Sequence, residues 1–226
     1  MKKNIGFVFA DDMEFKPFLE YAISKGGKML VHKPQNVVFL QTERFSIFAI
    51  ESGIGKVNAA LAALELIYRY KVQYILNAGL SGAVSSLKKG DIVAGESYVE
   101  CDFDLTPLDY KLGCKPTGQY IMEASSELLN AASKVDGLQI AKLGTGDVFL
   151  TDPVRKKLYK ETFGVNAFDM ESAALASTCQ RYEIPFLSIR KVSDDADDLA
   201  KDSYREMNKL GEIALTEVLM KVIDNL

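Results

Sequence analysis

The sequence predicts a single α/β domain built on a central mixed, largely parallel β-sheet flanked by helices. Three observations lead there. Short apolar segments alternate with helix-length amphipathic ones along the chain, the order that yields parallel strands covered on both faces. Between residues 29 and 51 three apolar segments follow one another without a helix, which adds antiparallel pairs and makes the sheet mixed. With 226 residues, 48% of them hydrophobic, the chain can bury one sizeable core; no repeat, low-complexity tract or linker divides it, so residues 1–226 are expected to form one domain.

The elements follow in order. Residues 4–9 form an apolar strand that runs into Ala10-Asp11-Asp12-Met13-Glu14. Asp11 or Asp12 can cap a helix over 13–24, where Phe15, Phe18, Leu19 and Ala22 share one face. Strands at 29–33, 36–41 and 45–51 give the hairpin-like region. A helix over 56–70 follows, with Ala59, Ala60, Ala63, Leu64 and Ile67 as its apolar side. Strands at 73–78, 91–99 and 138–145 alternate with helices at 124–134 and 152–161. A short extended piece ending at Asp169 then turns into an Ala-rich helix over 170–182. Residues 185–192 read as a buried strand leading to Arg190, Ser193 and Asp194, and a helix over 203–224 closes the chain.

Composition excludes several functions. A net charge of −4, with 27 basic residues scattered and no basic stripe, argues against a nucleic-acid surface. The three cysteines, Cys101, Cys114 and Cys179, lack paired metal spacing and His32 is the only histidine, so no metal site is expected. Odd, widely spaced cysteines fit reduced thiols in a cytoplasmic protein. The start, Met1-Lys2-Lys3, has the charge of a signal peptide. The apolar run 5–10 behind it is too short and ends in two aspartates. No run reaches transmembrane length, so no membrane partner is expected.

Chemistry-bearing residues collect where strands end, the usual place for sites in open α/β sheets. Glu14, Glu171 and Asp194 put three carboxylates there. Singly, each has a plain reading: Glu14 and Glu171 suit the first turn of a helix, and Asp194 suits a cap. Three glycine-containing segments also follow strands. Ser52-Gly53-Ile54-Gly55-Lys56 lacks the P-loop spacing and is followed by Val57 instead of Ser or Thr, so it is either a tight turn or a set of amides facing a polar ligand. Asn77-Ala78-Gly79-Leu80-Ser81-Gly82-Ala83 reads as a glycine turn where a ligand can approach backbone, and Gly144-Thr145-Gly146-Asp147-Val148-Phe149-Leu150 adds an aromatic that suits a planar base. Arg190, inside an apolar strand, demands an anionic or polar partner. Together these features favour one site with acid/base chemistry.

The ordered set of the acidic turn ending at Glu14, Ser52 to Lys56, Asn77-Ala78-Gly79, Gly90-Asp91-Ile92-Val93, Gly146 to Phe149, Met170-Glu171 and Ser193-Asp194 spans nearly the whole chain. It resembles the nucleoside phosphorylase/nucleosidase superfamily and, within it, the 5′-methylthioadenosine/S-adenosylhomocysteine nucleosidases. The resemblance implies a nucleoside phosphorylase-like fold and hydrolysis of the N-glycosidic bond of a 5′-modified adenosine, releasing adenine, with no cofactor. By resemblance Glu14 activates water with Arg190 nearby, and Asp194 assists adenine departure at N7, next to Ser193. Met170 and Glu171 bind the ribose, Phe149 stacks on the base, and backbone near Phe149 and Leu150 reads its edge. Gly79 lies against the substrate, and Ile54, Met170 and Tyr204 lie near the sugar and its 5′-substituent. Leu105, Leu108 and Pro116 match a segment lent to the neighbouring subunit's pocket, which implies a homodimer.

This chain departs from the family in two places. Leu80 stands where Ser is common, and Tyr204 where Phe is usual, so a more polar 5′-group is admitted among methylthioadenosine, S-adenosylhomocysteine, 5′-deoxyadenosine and aminodeoxyfutalosine. Two alternatives use the same fold. A purine nucleoside phosphorylase needs a cationic cradle for phosphate, but the early turn here is acidic instead of arginine-bearing. A non-catalytic nucleoside-binding protein would be expected to lose Glu14 or Asp194, and both are present.

Overall fold

The computed structural model describes residues 2–31, 36–116, 120–197, 200–209 and 214–226. His32, the end of the strand expected at 29–33 and the middle of the helix expected at 203–224 lie outside them. The strands are β1 (Lys3–Phe9), β2 (Lys28–Val31), β3 (Asn36–Gln41), β4 (Phe45–Glu51), β5 (Tyr74–Ala83), β6 (Ile92–Glu100), β7 (Ile121–Glu123), β8 (Leu138–Thr145), β9 (Ala167–Asp169) and β10 (Phe186–Asp194). The helices are α1 (Asp12–Ser24), α2 (Lys56–Tyr70), α3 (Ser126–Ala132), α4 (Pro153–Phe163), α5 (Ser172–Arg181), α6 (Ala200–Lys209) and α7 (Ala214–Asp224).

The sheet is mixed. β1 pairs in parallel with β4 and β5, and β5 with β10, whereas β2, β3 and β4 form the antiparallel meander expected for 29–51. β10 also pairs with β6, and β9 joins β8 to the end of β5, so β10, β6, β8, β9 and β5 close into a ring. That closure brings the ends of β8, β9 and β10 to the last residues of β5.

Both faces of β1 are covered, as its nearly continuous apolar sequence requires. Ile5, Phe7 and Phe9 join one core with Phe15 and Phe18 of α1 and Leu219 of α7. Val8 points to the other, with Leu66 of α2 and Leu175 of α5. The alternation follows the two-residue period of a strand.

Two expectations need correcting. Residues 77–83 are not a glycine turn: they continue β5, and β10 likewise runs on to Asp194. α2 buries Ala59, Ala62, Ala63, Leu66 and Tyr70, while Ala60, Leu64 and Ile67 are only half-buried. Alanines populate several faces of this helix, and Tyr70, stacked on Phe48 with ring centroids 4.7 Å apart, selects the face that packs. Of the helix expected at 203–224, the described residues are helical, as α6 and α7, and α6 starts earlier, at Ala200.

Candidate active site

A cavity of about 290 Å³ opens where β1, β5, β9 and β10 end. Of the residues expected in a site, Glu14, Ile54, Phe149, Leu150, Met170, Glu171, Ser193, Asp194 and Tyr204 line it; so do Asp11, Leu80, Ser81, Phe168 and Asp169. Gly79 and Arg190 lie behind the wall. Leu105, Leu108 and Pro116 do not line the cavity of their own chain; Leu108 and Pro116 are exposed.

Arg190 organises the floor. It is fully buried on β10, which forces it to find partners. Nε lies 3.3 Å from Asp169 Oδ2, and Nη1 donates to Glu171 Oε2 at 3.3 Å and to the Leu80 carbonyl at 3.2 Å. Nη2 donates to Asn77 Oδ1 and to Ser172 Oγ. Asn77 is itself tied to the Val8 carbonyl through Nδ2, so the guanidinium is braced from β1, β5, β9 and α5 at once. Asp169 holds the turn into α5: its Oδ1 accepts from Thr145 Oγ1 at 2.8 Å and from the amides of Glu171 and Ser172. Sequence reasoning gave Asp169 no role. The rule that singled out Asp194, an acid ending a buried strand, applies equally to Asp169.

Glu171 is buried, with Oε1 accepting from the Gly55 amide at 3.1 Å. The glycine segment before α2 therefore does turn amides toward a carboxylate, here one of the protein's own. Burial raises the carboxyl of Glu171 above its ordinary range, against the pull of Arg190.

Glu14 reaches into the site from the first turn of α1, whose N-cap is Asp11. Oε2 accepts from the Ala10 amide at 2.9 Å and Oε1 from the Leu80 amide at 2.7 Å. Burial pushes its pKa up to about 8; Arg190 and the Leu80 amide oppose the rise, Asp11 and Glu171 add to it, and burial wins. Leu80, where Ser is common in the family, contributes its amide to Glu14 and its carbonyl to Arg190, and neither bond depends on the side chain.

Gly79 was expected against the substrate, but it serves these two groups instead. A Cβ there would sit 2.6 Å from both Arg190 Nη1 and Glu14 Oε1. Gly79→Ala is therefore expected to displace Glu14 and lower kcat/KM on the order of 10²-fold, since an ångström of misplacement has costs of that size. Kinetics alongside thermal melting check this, and an unaltered kcat would show that Glu14 needs no such seat.

Asp194 occupies the equivalent position farther along. A Cβ on Gly82 would meet its Oδ1 at 2.8 Å, so Gly79 and Gly82 seat the two acids three residues apart on β5, roughly 10 Å along the strand. Oδ1 of Asp194 accepts from the Ala196 amide at 2.8 Å, and Oδ2 from Ser193 Oγ at 2.6 Å. Burial raises this carboxyl despite those two donors. Between the acids, on the cavity wall, come Leu80 and Ser81 of β5, with Glu171 joined to the Glu14 end through Arg190.

The outer wall is aromatic and polar. Phe149 is partly exposed and meets Tyr204 edge-on, with centroids 5.5 Å apart. Tyr204 Oη donates to Asp11 Oδ2 at 3.1 Å. The loop carrying Phe149 is anchored by Asp147, whose amide donates to Asp102 and whose Oδ1 accepts from the Lys56 amide. Among the described residues no group of three or more His, Cys, Asp or Glu side chains is arranged to hold a metal ion.

Comparison with known proteins places this arrangement. A sequence model of the phosphorylase superfamily matches residues 4–224. The 5′-methylthioadenosine/S-adenosylhomocysteine nucleosidase of Bacillus subtilis is 35% identical over 189 residues, covering 80% of this chain and 82% of that one. The Helicobacter pylori protein of the same description superposes with a TM-score of 0.94 at 27% identity, covering 99% of both chains. A futalosine hydrolase of H. pylori gives 0.94 at 26% identity, covering 99% of this chain and 98% of that one. The chain belongs to the phosphorylase superfamily and, within it, to the family of 5′-methylthioadenosine/S-adenosylhomocysteine nucleosidases.

Proposed function

We propose that this protein hydrolyses the N-glycosidic bond of 5′-modified adenosines, releasing adenine and the free 5-modified ribose. Its substrates are drawn from 5′-methylthioadenosine, S-adenosylhomocysteine, 5′-deoxyadenosine and aminodeoxyfutalosine. The observation that carries the reading is the pair of buried acids, Glu14 and Asp194, seated on two glycines of one strand and facing one cavity. A carboxyl at each end suits a reaction that needs a base for water and an acid for the leaving group.

In this mechanism the C1′–N9 bond breaks with its electron pair going to adenine, and Asp194 supplies a proton or hydrogen bond at N7. The sugar becomes oxocarbenium-like. Water attacks C1′ as Glu14 takes its proton. Glu171 accepts from the ribose hydroxyls, with Met170 beside it, and Arg190 fixes the carboxylates. Phe149 stacks on the base while backbone near Leu150 reads its edge, and Ser193 orients Asp194. Ile54 and Tyr204 border the 5′-group.

Hydrolysis is favoured over phosphorolysis by charge. Arg190, the guanidinium beside the site, is already engaged by Asp169, Glu171 and Asn77. A phosphate at the sugar would meet Glu14, Asp11 and Asp12 with little cationic compensation, and such repulsion grows in a desolvated pocket. Adenine release from methylthioadenosine should proceed in phosphate-free buffer and not rise when phosphate is added. A strict phosphate requirement, with a pentose 1-phosphate as product, would reassign the reaction.

The working unit proposed is a homodimer in which each chain, acting as one domain over 1–226, lends Leu105, Leu108 and Pro116 to the other's pocket. Support comes from exposed apolar side chains: Ile54 (51% exposed), which lines the cavity, Val57 (71%) and Leu61 (58%) on α2, and Leu108 (65%). Such a surface fits an isologous contact. A cytoplasmic setting is part of the proposal, supported by three free cysteines; among the described residues no helix is long and apolar enough to cross a membrane.

A further inference from the structure

We propose that Asp11 and Tyr204 make the sugar-5′ end of the cavity a receptor for a hydrogen-bond donor, foremost an ammonium group. The preferred substrates would then be 5′-modified adenosines carrying an amine instead of a plain alkylthio chain. The inference rests on the nucleosidase reading and names the substrate class within it.

Position comes first. Gly82 seats Asp194 at the nucleobase end and Gly79 seats Glu14 at the sugar end. Asp11 lies one helical turn before Glu14, as the N-cap of α1, and still lines the cavity. Whatever an adenosine carries beyond its sugar therefore meets Asp11 and Tyr204. These are the polar outer wall; the neighbours there, Ile54 and Phe149, are apolar.

Chemistry comes next. The Asp11 carboxylate has room for about four hydrogen bonds. Oδ1 accepts from the Glu14 amide at 3.0 Å and Oδ2 from Tyr204 Oη at 3.1 Å. Two acceptor positions are left on the carboxylate, which the Tyr204 hydroxyl holds in place by donating to it. The wall thus offers acceptors, which fits an ammonium and leaves a methylthio group with nothing to bond.

The surrounding field has the same sign. Glu51 ends β4 opposite Phe9, and burial raises its carboxyl, with Asp12 and Asp11 adding to the rise. Among the described residues no lysine or arginine forms an ion pair with Asp11, Asp12 or Glu51. A rim of like-charged carboxylates attracts a cationic substituent and repels an anionic one.

Two probes of equal length test this: 5′-(2-aminoethylthio)-5′-deoxyadenosine, cationic at neutral pH, and 5′-propylthio-5′-deoxyadenosine. The intact protein is expected to favour the amine in kcat/KM by about tenfold or more, the value of a hydrogen bond between charged groups. Asp11→Asn keeps the helix cap, because Asn caps as well as Asp, and should lower that ratio about tenfold. Tyr204→Phe, which spares the carboxylate, should lower it less. Calorimetric titration reads the same preference in binding without turnover. A wild-type preference for the propyl probe, or a ratio untouched by Asp11→Asn, would overturn the inference. Amine-selective binding with no adenine released from either probe or from methylthioadenosine would instead overturn the nucleosidase reading and uphold this one.

Discussion

A Glu14→Gln protein is expected to lose turnover by on the order of 10²–10⁴ while still binding nucleosides, because the amide keeps the shape but cannot take a proton from water. The same substitution carries a second signature in stability. Glu14 has its folded-state pKa pushed up to about 8, above an ordinary value of 4.5. Below the ordinary value the carboxyl is protonated in both folded and unfolded chains, and it costs the fold no charge burial. As pH rises from there toward 8, the unfolded chain releases the proton and the folded one keeps it. Folding is penalised progressively, by about 1.4 kcal/mol per pH unit, to a ceiling of roughly 5 kcal/mol. Gln has no such penalty. The stability difference between Glu14→Gln and the parent should therefore move in favour of the variant across this window and level off above pH 8. The slope is diagnostic, not the offset: the Gln amide nitrogen must face either the Ala10 or the Leu80 N–H, a mismatch that costs about 1–3 kcal/mol at every pH. Melting curves at several pH values, beside an adenine-release assay, measure both effects. A flat difference would mean that Glu14 is ionised in the folded protein. Near-normal turnover would remove it from the role of base.

In the proposed role of base, such a residue, costly to bury as a charge and held over Gly79, belongs to a site that trades stability for activity. It also shows what the sequence could reveal. Glu14, Glu171 and Asp194 were legible because acids at the ends of apolar strands are rare enough to stand out. Their seats were not legible. Gly79 and Gly82 read as turn residues, since glycine after an apolar run usually marks one. In the folded chain they are strand residues whose missing Cβ atoms make room for Arg190, Glu14 and Asp194, side chains up to 112 positions away in the sequence. No local pattern carries that information. The partners of Arg190 were equally hidden: burial demanded an acid, but only the ring closure of β5, β9 and β10 makes Asp169, Asn77 and Ser172 those partners. Strand positions were accurate where apolar runs were continuous, as in β1, β3 and β4. The face of α2 was misjudged because alanine marks burial weakly, and Tyr70 decided it.

Asp194→Asn should leave the structure intact and cripple the reaction with adenine as leaving group. The bonds around Asp194 tolerate the change. Oδ1 keeps its acceptor role toward the Ala196 amide, and the new amide group can donate to Ser193 Oγ, whose hydroxyl turns to the Ser81 carbonyl 3.3 Å away. What is lost is the transferable proton. Burial holds the carboxyl above its ordinary range, the direction that keeps a proton available near neutrality, and Asn has none to give. Adenine departing without it must leave as an anion, so kcat/KM should fall on the order of 10²–10⁴-fold. The loss should be selective. A substrate analogue whose leaving group is already stable as an anion needs no proton and should be hydrolysed by Asp194→Asn at a rate much closer to the parent's. Glu14→Gln, by contrast, should fail on both kinds of substrate, since each requires water at C1′. Equal losses with both leaving groups in a well-folded Asp194→Asn protein would assign Asp194 to holding the β10 turn instead of to the chemistry.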